Sequence, residues 1–438
     1  MRRILVVTYY WPPSGGSGVQ RWLKFAKYLP AEGWQPVVAA PQGADYPVED
    51  LSLLAEVPPE VEVLKFPIRE PYATYRRLTG APKGDVKAAP SRHDGRRPGL
   101  VKRVANWIRA NLFVPDPRVW WVRPTARALE AYLREHPVDA FVTTGPPHSV
   151  HLIGRQLKRA YPTLPWVMDV RDPWSQFDVH LAFNPGKRAR EKNASLERAC
   201  LEECDVVLGT SPSMPTHLKP FDAGKYVCIT NGYDAADFAA TPTAAAGQRN
   251  RRFRLYHTGL LSASRNPEAV WTALARMVES DEDFGDDLHI HLIGNVDDEV
   301  SRSLAAHAPL AGKYTVTAWL PHDELVARYA DADALLLCPN QSDNARGQIN
   351  GKVFEYLAAG KPILHVGPFD ADNTRLLDET HAGLTVPPGD VDAARQALET
   401  IRSGAFAANP NALPPDVAAP YERRALTERL AQLLDGLA

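Results

Sequence analysis

Five short segments of this 438-residue sequence combine polar or glycine residues with the edge of a predicted strand or helix. They span 14–18, 143–151, 169–174, 259–267 and 350–363. The carboxyl ends of parallel strands meet at one edge of a sheet, and α/β proteins bind their ligands there. Each segment therefore offers candidate site residues.

The segment after the first predicted strand, Ser14-Gly15-Gly16-Ser17-Gly18, is rich in glycine. Glycines let a backbone pass close to a ligand, and the helix that follows points its N-terminal N–H groups at an anion. The spacing matches neither the dinucleotide fingerprint nor the Walker A loop. Gly15 and Gly16 are candidates for contacting an anion, and a tight strand-to-helix turn is the alternative.

Two further strand ends in the first half carry side chains suited to acting on a substrate. A Gly-Pro-Pro turn leads to His148, where a helix begins. A neutral imidazole there can hold a hydroxyl group or transfer a proton; the alternative is a surface histidine at a helix start. The next strand ends at Asp169, Arg171 and Asp172, which either face a ligand or form an ion pair that pins the loop.

In the second half, a strand ends at Gly259, and Arg265 stands just before a helix. That position suits pairing with a diphosphate, although a lone arginine is commonly a solvated charge. Glu355 lies one turn into an otherwise apolar helix that begins after Gly351. A buried carboxylate needs partners, which the two hydroxyls of a ribose would supply. Pairing with Lys352 is worth only a few tenths of a kcal/mol.

No combination of residue types in the sequence predicts a metal centre. Asp331 and Asp333 lead directly into an apolar strand, and His289 and His291 alternate on a strand without acidic neighbours. Four cysteines do not make a disulfide framework, and the pair one helical turn apart lacks further zinc ligands. We expect no metal and four reduced thiols.

Short apolar runs alternate with longer amphipathic segments, a pattern typical of a parallel sheet flanked by helices. The predicted strands are 4–8, 35–40, 140–144, 166–170, 206–210, 253–258, 289–293, 314–318, 334–338 and 362–366. The predicted helices are 19–29, 148–159, 188–203, 267–279, 297–306, 323–330, 352–359, 391–401 and 421–437. An Ala- and Thr-rich linker over 235–250 separates the two series. The pattern predicts two doubly wound α/β domains with an interdomain cleft that binds ligands.

The segment Lys65–Arg123 interrupts this alternation and is rich in Lys and Arg. Within it, 80–98 is predicted to be a mobile loop and Leu100–Phe113 a basic amphipathic helix. The apolar side of that helix carries Leu100, Val101, Val104, Trp107 and Ile108. Such a helix suits peripheral contact with an anionic membrane surface. The alternative is a helix packed on its own domain.

Composition and the chain start limit the class of protein. A formal net charge of -2 argues against general binding of nucleic acid. The N-terminal apolar run is too short for a signal peptide, and no stretch reaches the ~18 apolar residues of a membrane span. We therefore expect a cytoplasmic protein.

Taken in order, these features resemble family-4 glycosyltransferases, which are retaining enzymes of the GT-B fold. The resemblance covers nearly the whole chain outside about 65–125. The matching segments are the glycine-rich loop, His148, Ile229–Asp234, Gly259 with Arg265, 319–325 and 354–362. The segments Tyr9–Leu29 and Asp169–Trp174 look most like bacterial members that build surface polysaccharides.

The resemblance implies transfer of a sugar from a UDP- or GDP-linked donor to a glycan or lipid-linked acceptor, without metal or another cofactor. It implies an acceptor-side domain over 1–228, a donor-binding domain over 229–420, and a final helix over 421–438 that returns to the first domain. The implied catalytic residues are His148 at the transferred sugar, Arg265 at the diphosphate and Glu355 at the ribose. The implied donor-binding residues are Gly15, Gly16, Gly259, Arg265, Leu320, Gln348, Asn350, Gly351, Lys352 and Glu355. The candidates on the acceptor side are Asp169, Arg171 and Asp172.

Two departures from the family pattern bear on the reaction. Leu260 stands where the family usually has an arginine, and Gly347 where it often has a second glutamate near the donor sugar. Gln348, Asn350 and the backbone of Gly351 are the candidates to replace that contact. Because of Gly347, a non-catalytic sugar-binding protein is one alternative function. Because of the fold, a nucleotide-sugar epimerase is another. The sequence does not identify the nucleotide base of the donor, the transferred sugar or the acceptor.

Overall fold

The computed structural model describes residues 1–72, 100–176, 183–218, 223–238, 253–318, 320–341, 346–406 and 418–438. The chain divides into two compact units, Met1–Thr230 with Arg423–Ala438, and Asn231–Glu422. The predicted loop over 80–98 and most of the predicted linker lie outside the described residues. None of the described helices is both long and apolar enough to cross a membrane.

The first unit is built on one parallel sheet in the order β3-β2-β1-β4-β5-β6-β7. Its strands are β1 (Arg2–Thr8), β2 (Trp34–Gln42), β3 (Glu62–Pro67), β4 (Ala140–Gly145), β5 (Trp166–Val170), β6 (Val206–Gly209) and β7 (Tyr226–Cys228). β1, β4 and β5 are buried almost throughout because helices cover both faces of such a sheet. The strand order reverses between β1 and β4, so the loops after these strands flank the point where such folds bind ligands.

In the described part of the first unit, five α-helices precede its exit into the second. They are α1 (Ser17–Tyr28), α2 (Leu100–Leu112), α3 (Val119–Glu135), α4 (Ser149–Ala160) and α5 (Lys187–Glu203). One face of the sheet packs on α1 through Trp22, Phe25 and Ala26, and the other packs on α3 and α4. These two layers fix the positions of the loops at the strand ends.

The second unit repeats the same topology with six parallel strands in the order β10-β9-β8-β11-β12-β13. They are β8 (Phe253–Thr258), β9 (Leu288–Ile293), β10 (Tyr314–Thr317), β11 (Ala334–Leu337), β12 (Ile363–Val366) and β13 (Gly383–Val386). Its helices are α6 (Ala235–Phe238), α7 (Glu268–Ser280), α8 (Glu282–Asp287), α9 (Asp298–Ala306), α10 (His322–Tyr329), α11 (Gly351–Ala359), α12 (Asp372–Thr380) and α13 (Val391–Arg402). Here the order reverses between β8 and β11, which places the loops after both strands at the binding point.

The last helix, α14 (Arg423–Asp435), belongs to the first unit. Leu426, Leu430 and Leu434 lie at helical spacing, and all are buried in the cluster that also contains Trp22 and Phe25. The remaining short 3-10 helices are Leu29–Glu32, Ser52–Glu56, Met214–His217, Ala223–Lys225, Ala263–Arg265, Ala308–Leu310 and Ala419–Tyr421.

The sequence pattern missed several elements at the margins of the sheets and within the basic segment. The missed elements are β3, β7, β13, α3, α6, α8 and α12, of which α6 lies at the start of the predicted linker. Strand β7 has only three residues, too few for a periodic pattern. Helix α3 contains Pro124, which argues against a helix in a sequence pattern. The segment Lys65–Arg123 is thus not a single interruption, because β3 ends and α3 begins inside it.

Candidate functional site

In the second unit, the end of β8 and the start of α11 meet at Gly259. Its φ of 91° lies in the left-handed region that favours glycine. A Cβ at this position would lie 2.9 Å from Nζ of Lys352. That Nζ donates a hydrogen bond to the carbonyl oxygen of Thr258, the residue before the glycine. The positive φ is therefore the main reason for glycine here, and the end of the Lys352 side chain packs directly against it.

Arg265 approaches the same loop from its other end. Its Nε donates to Oδ1 of Asn340 at 2.7 Å, and its Nη1 lies 3.3 Å from the carbonyl oxygen of Leu260. Leu260 itself is exposed. Lys352 and Arg265 thus contact carbonyl groups on the two sides of Gly259. Among the described residues, neither cation lies within ion-pair distance of a carboxylate.

Burial controls the charge of both cations. Burial and, to a smaller extent, the nearby Arg265 lower the pKa of Lys352 from 10.5 to about 8. Burial also lowers the pKa of Arg265. Two partly buried positive charges without an acidic partner among the described residues are costly, and a bound anion would relieve that cost.

Glu355, four residues into α11, has partners that the sequence did not indicate. Its Oε2 accepts a hydrogen bond from the Tyr329 hydroxyl at 3.0 Å, and its Oε1 lies 3.3 Å from Nε2 of His322. The structural alternative of a pair with Lys352 is wrong, because Lys352 turns to the Thr258 carbonyl. Each carboxylate oxygen retains a second lone pair to accept from a ligand hydroxyl.

The start of α11 leaves space beside these groups. Asn350 is tied to Asn373 through its backbone N–H and its side-chain oxygen. A Cβ added to Gly351 would meet nothing within 4 Å, so the helix N-terminus is open there. Gln348 is partly buried, and Leu320 packs on the apolar cluster beneath α10 and α11. Trp319, in the segment that resembles the base-binding loop, lies outside the described residues.

Sequence reasoning missed the residues that link Glu355 to the strand end. The Thr258 hydroxyl lies 3.3 Å from the Tyr329 hydroxyl and 3.1 Å from that of Tyr356, which also accepts from the Thr258 N–H. Burial raises the pKa of Tyr329 well above its usual value, so it stays a neutral donor to Glu355. Their positions in the sequence could have indicated these two tyrosines, since Tyr329 ends α10 and Tyr356 follows Glu355 directly.

In the first unit, the two glycines of the loop after β1 have different roles. Gly15 donates its N–H to the carbonyl of Val48 at 2.9 Å, and a Cβ there would lie 3.0 Å from the Val48 side chain. Close packing therefore accounts for Gly15. Gly16 has a φ of 82° and open space where a Cβ would stand, directly before α1. Of the two, only Gly16 leaves room for a ligand.

His148 lies at the start of α4 and is almost fully buried, not a solvated surface residue. Its ring stacks on Trp174, with centroids 5.0 Å apart and planes within 5°. Trp174 is fixed in turn by a 2.7 Å hydrogen bond from its Nε1 to Asn193. His151, one turn on, is a core residue that bonds to Thr143, and burial lowers its pKa to about 3.

A cavity of about 270 Å³ opens beside His148 within the first unit. Aromatic and proline side chains form most of its wall. Its polar residues are Tyr10, Arg109, Asp116, Arg118, His148 and Asn193. Arg118 is held between the rings of Tyr9 and Tyr72 and pairs with Glu70 at 3.0 Å. The wall is therefore rigid and mixed in polarity.

The expectation that Asp169 faces an acceptor is not met by its surroundings. Asp169 is fully buried and accepts from Arg21 at 3.1 Å, from Trp22 at 2.7 Å and from Thr144 at 2.7 Å. Arg21 also donates to the carbonyls of Ile229 and Thr230. The structure thus contains the loop-pinning ion pair offered as the alternative, but its cation comes from α1.

Arg171 is likewise a structural residue in this unit. Its guanidinium donates to the carbonyls of Gly145, Gly18 and Pro146 at 2.8–3.1 Å. It ties the start of α1 to the end of β4 and to the turn before His148, which lies in the wall of the cavity. Asp172 is partly buried at the same strand end.

Residues 252–403 match the family model described as Glycosyl transferases group 1. This range spans most of the second unit and includes Gly259, Arg265 and Glu355. The chain therefore carries a glycosyltransferase domain, as the sequence predicted. No curated protein sequence matches the chain.

Solved structures share the architecture of the whole chain. Sucrose-phosphate synthase from Thermosynechococcus elongatus is 17% identical with a TM-score of 0.67, covering 100% of this chain and 99% of that one. HepE from Anabaena, in complex with UDP-glucose, is 13% identical with a TM-score of 0.61, and covers both chains fully. The UDP-forming α,α-trehalose-phosphate synthase from Burkholderia xenovorans, in complex with glucose-6-phosphate, is 14% identical with a TM-score of 0.63 and the same coverage. The predicted fold class, two Rossmann-like α/β domains of the GT-B type, is confirmed.

Proposed function

We propose that this protein is a family-4 glycosyltransferase of bacterial polysaccharide biosynthesis, which transfers a sugar with retention and without a metal. The donor is a UDP- or GDP-linked sugar, and the acceptor is a glycan or a lipid-linked glycan. The protein acts in the cytoplasm and contacts the inner face of the membrane peripherally.

The pair of partly buried cations around Gly259 carries this proposal. Arg265 and Lys352 contact the carbonyls on either side of Gly259, just after β8, where the sheet order reverses, and no described carboxylate pairs with them. A diphosphate supplies the missing negative charge in the geometry that arginine recognises. Glu355, on the same helix as Lys352, has lone pairs left for the hydroxyls of the attached ribose. The arrangement fits a nucleoside diphosphate better than a single anion.

The same cations suit the chemistry of transfer. In the retaining reaction the acceptor hydroxyl attacks the anomeric carbon on the face from which the nucleoside diphosphate leaves, and the bond from that carbon to the diphosphate oxygen breaks. Negative charge grows on the leaving diphosphate, where Arg265 and Lys352 stabilise it without a metal ion. His148 contacts the transferred sugar, and Gly16 leaves room for the diphosphate beside α1.

The structural relatives favour uridine as the base. HepE is described with UDP-glucose, and the trehalose-phosphate synthase is described as UDP-forming. These are properties of those proteins, and they support testing UDP before GDP here.

Calorimetry with UDP and GDP in the presence of EDTA tests the proposal. We expect one diphosphate to bind without metal. Arg265→Gln should weaken that binding roughly 10- to 100-fold, since a hydrogen bond to a charged group contributes about 1.5–3 kcal/mol. Arg276→Gln, which removes an exposed arginine from α7, is the matched control. Binding of neither nucleotide, or equal losses in both variants, would refute the assignment.

Gly347 favours one other function, a non-catalytic sugar-binding protein, because this position lacks the carboxylate that often lies near the donor sugar. Gly347 is buried in the structure. Turnover of the donor sugar that depends on an added acceptor would exclude both this function and the epimerase. Binding without turnover for every acceptor tried would favour it.

A further inference from the structure

Helix α2 carries a row of exposed apolar side chains along one side. Leu100, Val104, Trp107, Ile108 and Leu112 follow one another at helical spacing, and Trp107 and Leu112 are 59% and 63% exposed. Trp120 is 57% exposed and touches Phe113, which follows α2, with ring centroids 5.0 Å apart. These six residues, Leu100, Val104, Trp107, Ile108, Leu112 and Trp120, form what we call the docking face.

The docking face concentrates a feature that is sparse elsewhere on the chain. It holds six of the thirteen large apolar side chains that are exposed among the described residues. A contiguous exposed apolar patch marks an interaction site, whereas single exposed apolar residues need no explanation. The helix does pack on its own unit, as the alternative predicted, but it does so through its opposite side, and the docking face stays exposed.

The opposite side of α2 is anchored, so the exposure is not the result of a loose helix. Ala110 is buried, and the guanidinium of Arg109 lies 4.1 Å from the ring centroid of Phe183. Asn111 accepts a 2.8 Å hydrogen bond from the N–H of Gly186, just before α5. The helix therefore presents the docking face outward in a fixed orientation.

We infer that the docking face binds an anionic lipid bilayer. The sequence of α2 contains Lys102, Arg103 and Arg109 and no acidic residue. Arg103 is exposed on α2, as is Arg123 one turn after Trp120. An apolar helix face with tryptophan enters the interfacial region of a bilayer, and nearby cations pair with anionic headgroups. Charge thus favours an anionic membrane over a neutral protein surface.

The same helix connects this surface to the cavity at His148. Arg109 and Ala110 on its inner side, and Phe113 at its end, line that cavity. A helix lying on the bilayer would hold the cavity beside lipid headgroups. This identifies the acceptor as lipid-anchored, a step that rests on the proposed transfer reaction, whereas binding to lipid does not.

Flotation of the full-length protein with lipid vesicles tests the inference. At low salt we expect the protein to float with vesicles of phosphatidylcholine and phosphatidylglycerol in equal parts, but not with phosphatidylcholine alone. Trp107→Ser combined with Leu112→Ser should abolish flotation. Arg103→Ser combined with Arg123→Ser should lower the partition coefficient roughly 30-fold, since each cation near the surface contributes about 1 kcal/mol.

Matched controls use exposed residues elsewhere. Val316→Ser with Phe369→Ser removes exposed apolar groups from the second unit, and Arg188→Ser with Arg190→Ser removes two exposed cations from α5. Both double variants should float like the original protein. Failure to float at low salt, or flotation that survives the Trp107 and Leu112 changes, would overturn the inference. Self-association that those changes abolish would instead assign the face to a second copy of the chain.

Nucleotide binding separates the two proposals. Trp107→Ser with Leu112→Ser should leave calorimetric UDP or GDP affinity unchanged, because the cation pair lies in the other unit. A protein that binds nucleotide but does not float contradicts the docking inference and the proposed membrane contact, but not the proposed sugar transfer. A protein that floats but binds no nucleotide contradicts only the proposed function.

Discussion

At the scale of residues, neighbouring charges on α11 are directed to different partners. Lys352 donates to the Thr258 carbonyl, while Glu355 is held by Tyr329 and His322. Although they are three positions apart, the two side chains do not neutralise each other. Lys352 therefore remains available for an anion and Glu355 for hydroxyl donors.

Glu355→Gln should weaken binding of the nucleoside diphosphate roughly 10- to 100-fold. The amide loses the negative charge that strengthens hydrogen bonds from ribose hydroxyls. Calorimetry measures the change, and 2′-deoxy nucleotides provide the control because they should bind both proteins more equally. Equal affinity of the variant and the original protein for the ribonucleotide would rule out the ribose contact.

The lowered pKa of Lys352 predicts a pH dependence of nucleotide binding. Below about pH 8 the ammonium is charged and attracts the diphosphate. As the pH rises above that value the free protein loses the proton, so affinity should fall by at most tenfold per pH unit. Calorimetry between about pH 7 and pH 9.5 measures this, and Lys352→Arg should remove the dependence.

The lowered pKa of Lys352 also makes the stability of the ligand-free protein depend on pH, in the opposite direction to nucleotide affinity. The folded pKa lies below the unfolded value of 10.5, so the protonated lysine destabilises the fold most fully below about pH 8. That cost fades between about pH 8 and pH 10.5. Lys352→Met should therefore raise Tm at pH 7 by several degrees, and by less at pH 10. A lower Tm at pH 7 would contradict the assignment of a buried charge.

His148→Ala should reduce turnover about 10²- to 10⁴-fold, the range expected for a positioned acid–base or hydroxyl-binding group. Nucleotide affinity should change little, because the proposed partner of His148 is the transferred sugar. His148→Phe is the control: it keeps a ring to stack on Trp174 but removes both nitrogens. If the Phe variant retains full turnover, only the stacking matters and the proposed role is wrong.

At the scale of elements, buried charges join the strand ends of the first unit. Arg21 on α1 links Asp169 at the end of β5 to the carbonyls of Ile229 and Thr230. Arg171 links the carbonyls of Gly145, Gly18 and Pro146. These contacts hold the loops that carry Gly16 and His148, so they act on the site through geometry.

Asp169→Asn should destabilise the first unit by about 3–5 kcal/mol, because it leaves the buried charge of Arg21 without its partner. Nucleotide affinity should change much less than stability, since Arg265, Lys352 and Glu355 lie in the second unit. Thermal unfolding and calorimetry measure the two effects. A variant with full stability and a raised KM for the acceptor would instead show that Asp169 contacts the acceptor.

At the scale of the whole molecule, the chain leaves the first unit at Thr230 and returns to it at Arg423. The returning helix α14 adds Leu426, Leu430 and Leu434 to a cluster formed by residues from the start of the chain. The first unit is therefore completed only by the last residues, after the second unit has been made.

Removal of residues 423–438 should destabilise the first unit specifically. Truncation exposes Trp22 and Phe25, and each buried side chain of this size contributes about 1.5–3 kcal/mol. Calorimetric unfolding should show a lower transition temperature for the first unit, while UDP or GDP still raises that of the second. A uniform shift of both units would show that α14 stabilises the molecule as a whole.

Much of this protein follows from local sequence. Apolar runs such as Ile4–Val7 predict central strands because only an interior position suits four consecutive buried side chains. The alternation of strands and helices then determines a doubly wound sheet, and its strand ends place Gly259, Arg265, His148 and Asp169 at ligand-binding edges. The short edge strands and α3, with its internal proline, were not predicted, because their local sequence signals are weak or contradictory.

Only the tertiary structure decided which of these residues face a ligand. Asp169 and Arg171 have the types and positions expected of site residues, yet partners distant in sequence, Arg21 and Gly18, enclose them. Conversely, Lys352 and Arg265 have no carboxylate partner among the described residues. Pairing of a buried charge depends on which chain segments meet in space, and a sequence pattern records only neighbours along the helix or strand. The local sequence thus determines which residues lie at a strand end, whereas long-range contacts determine which of those residues are available to a ligand.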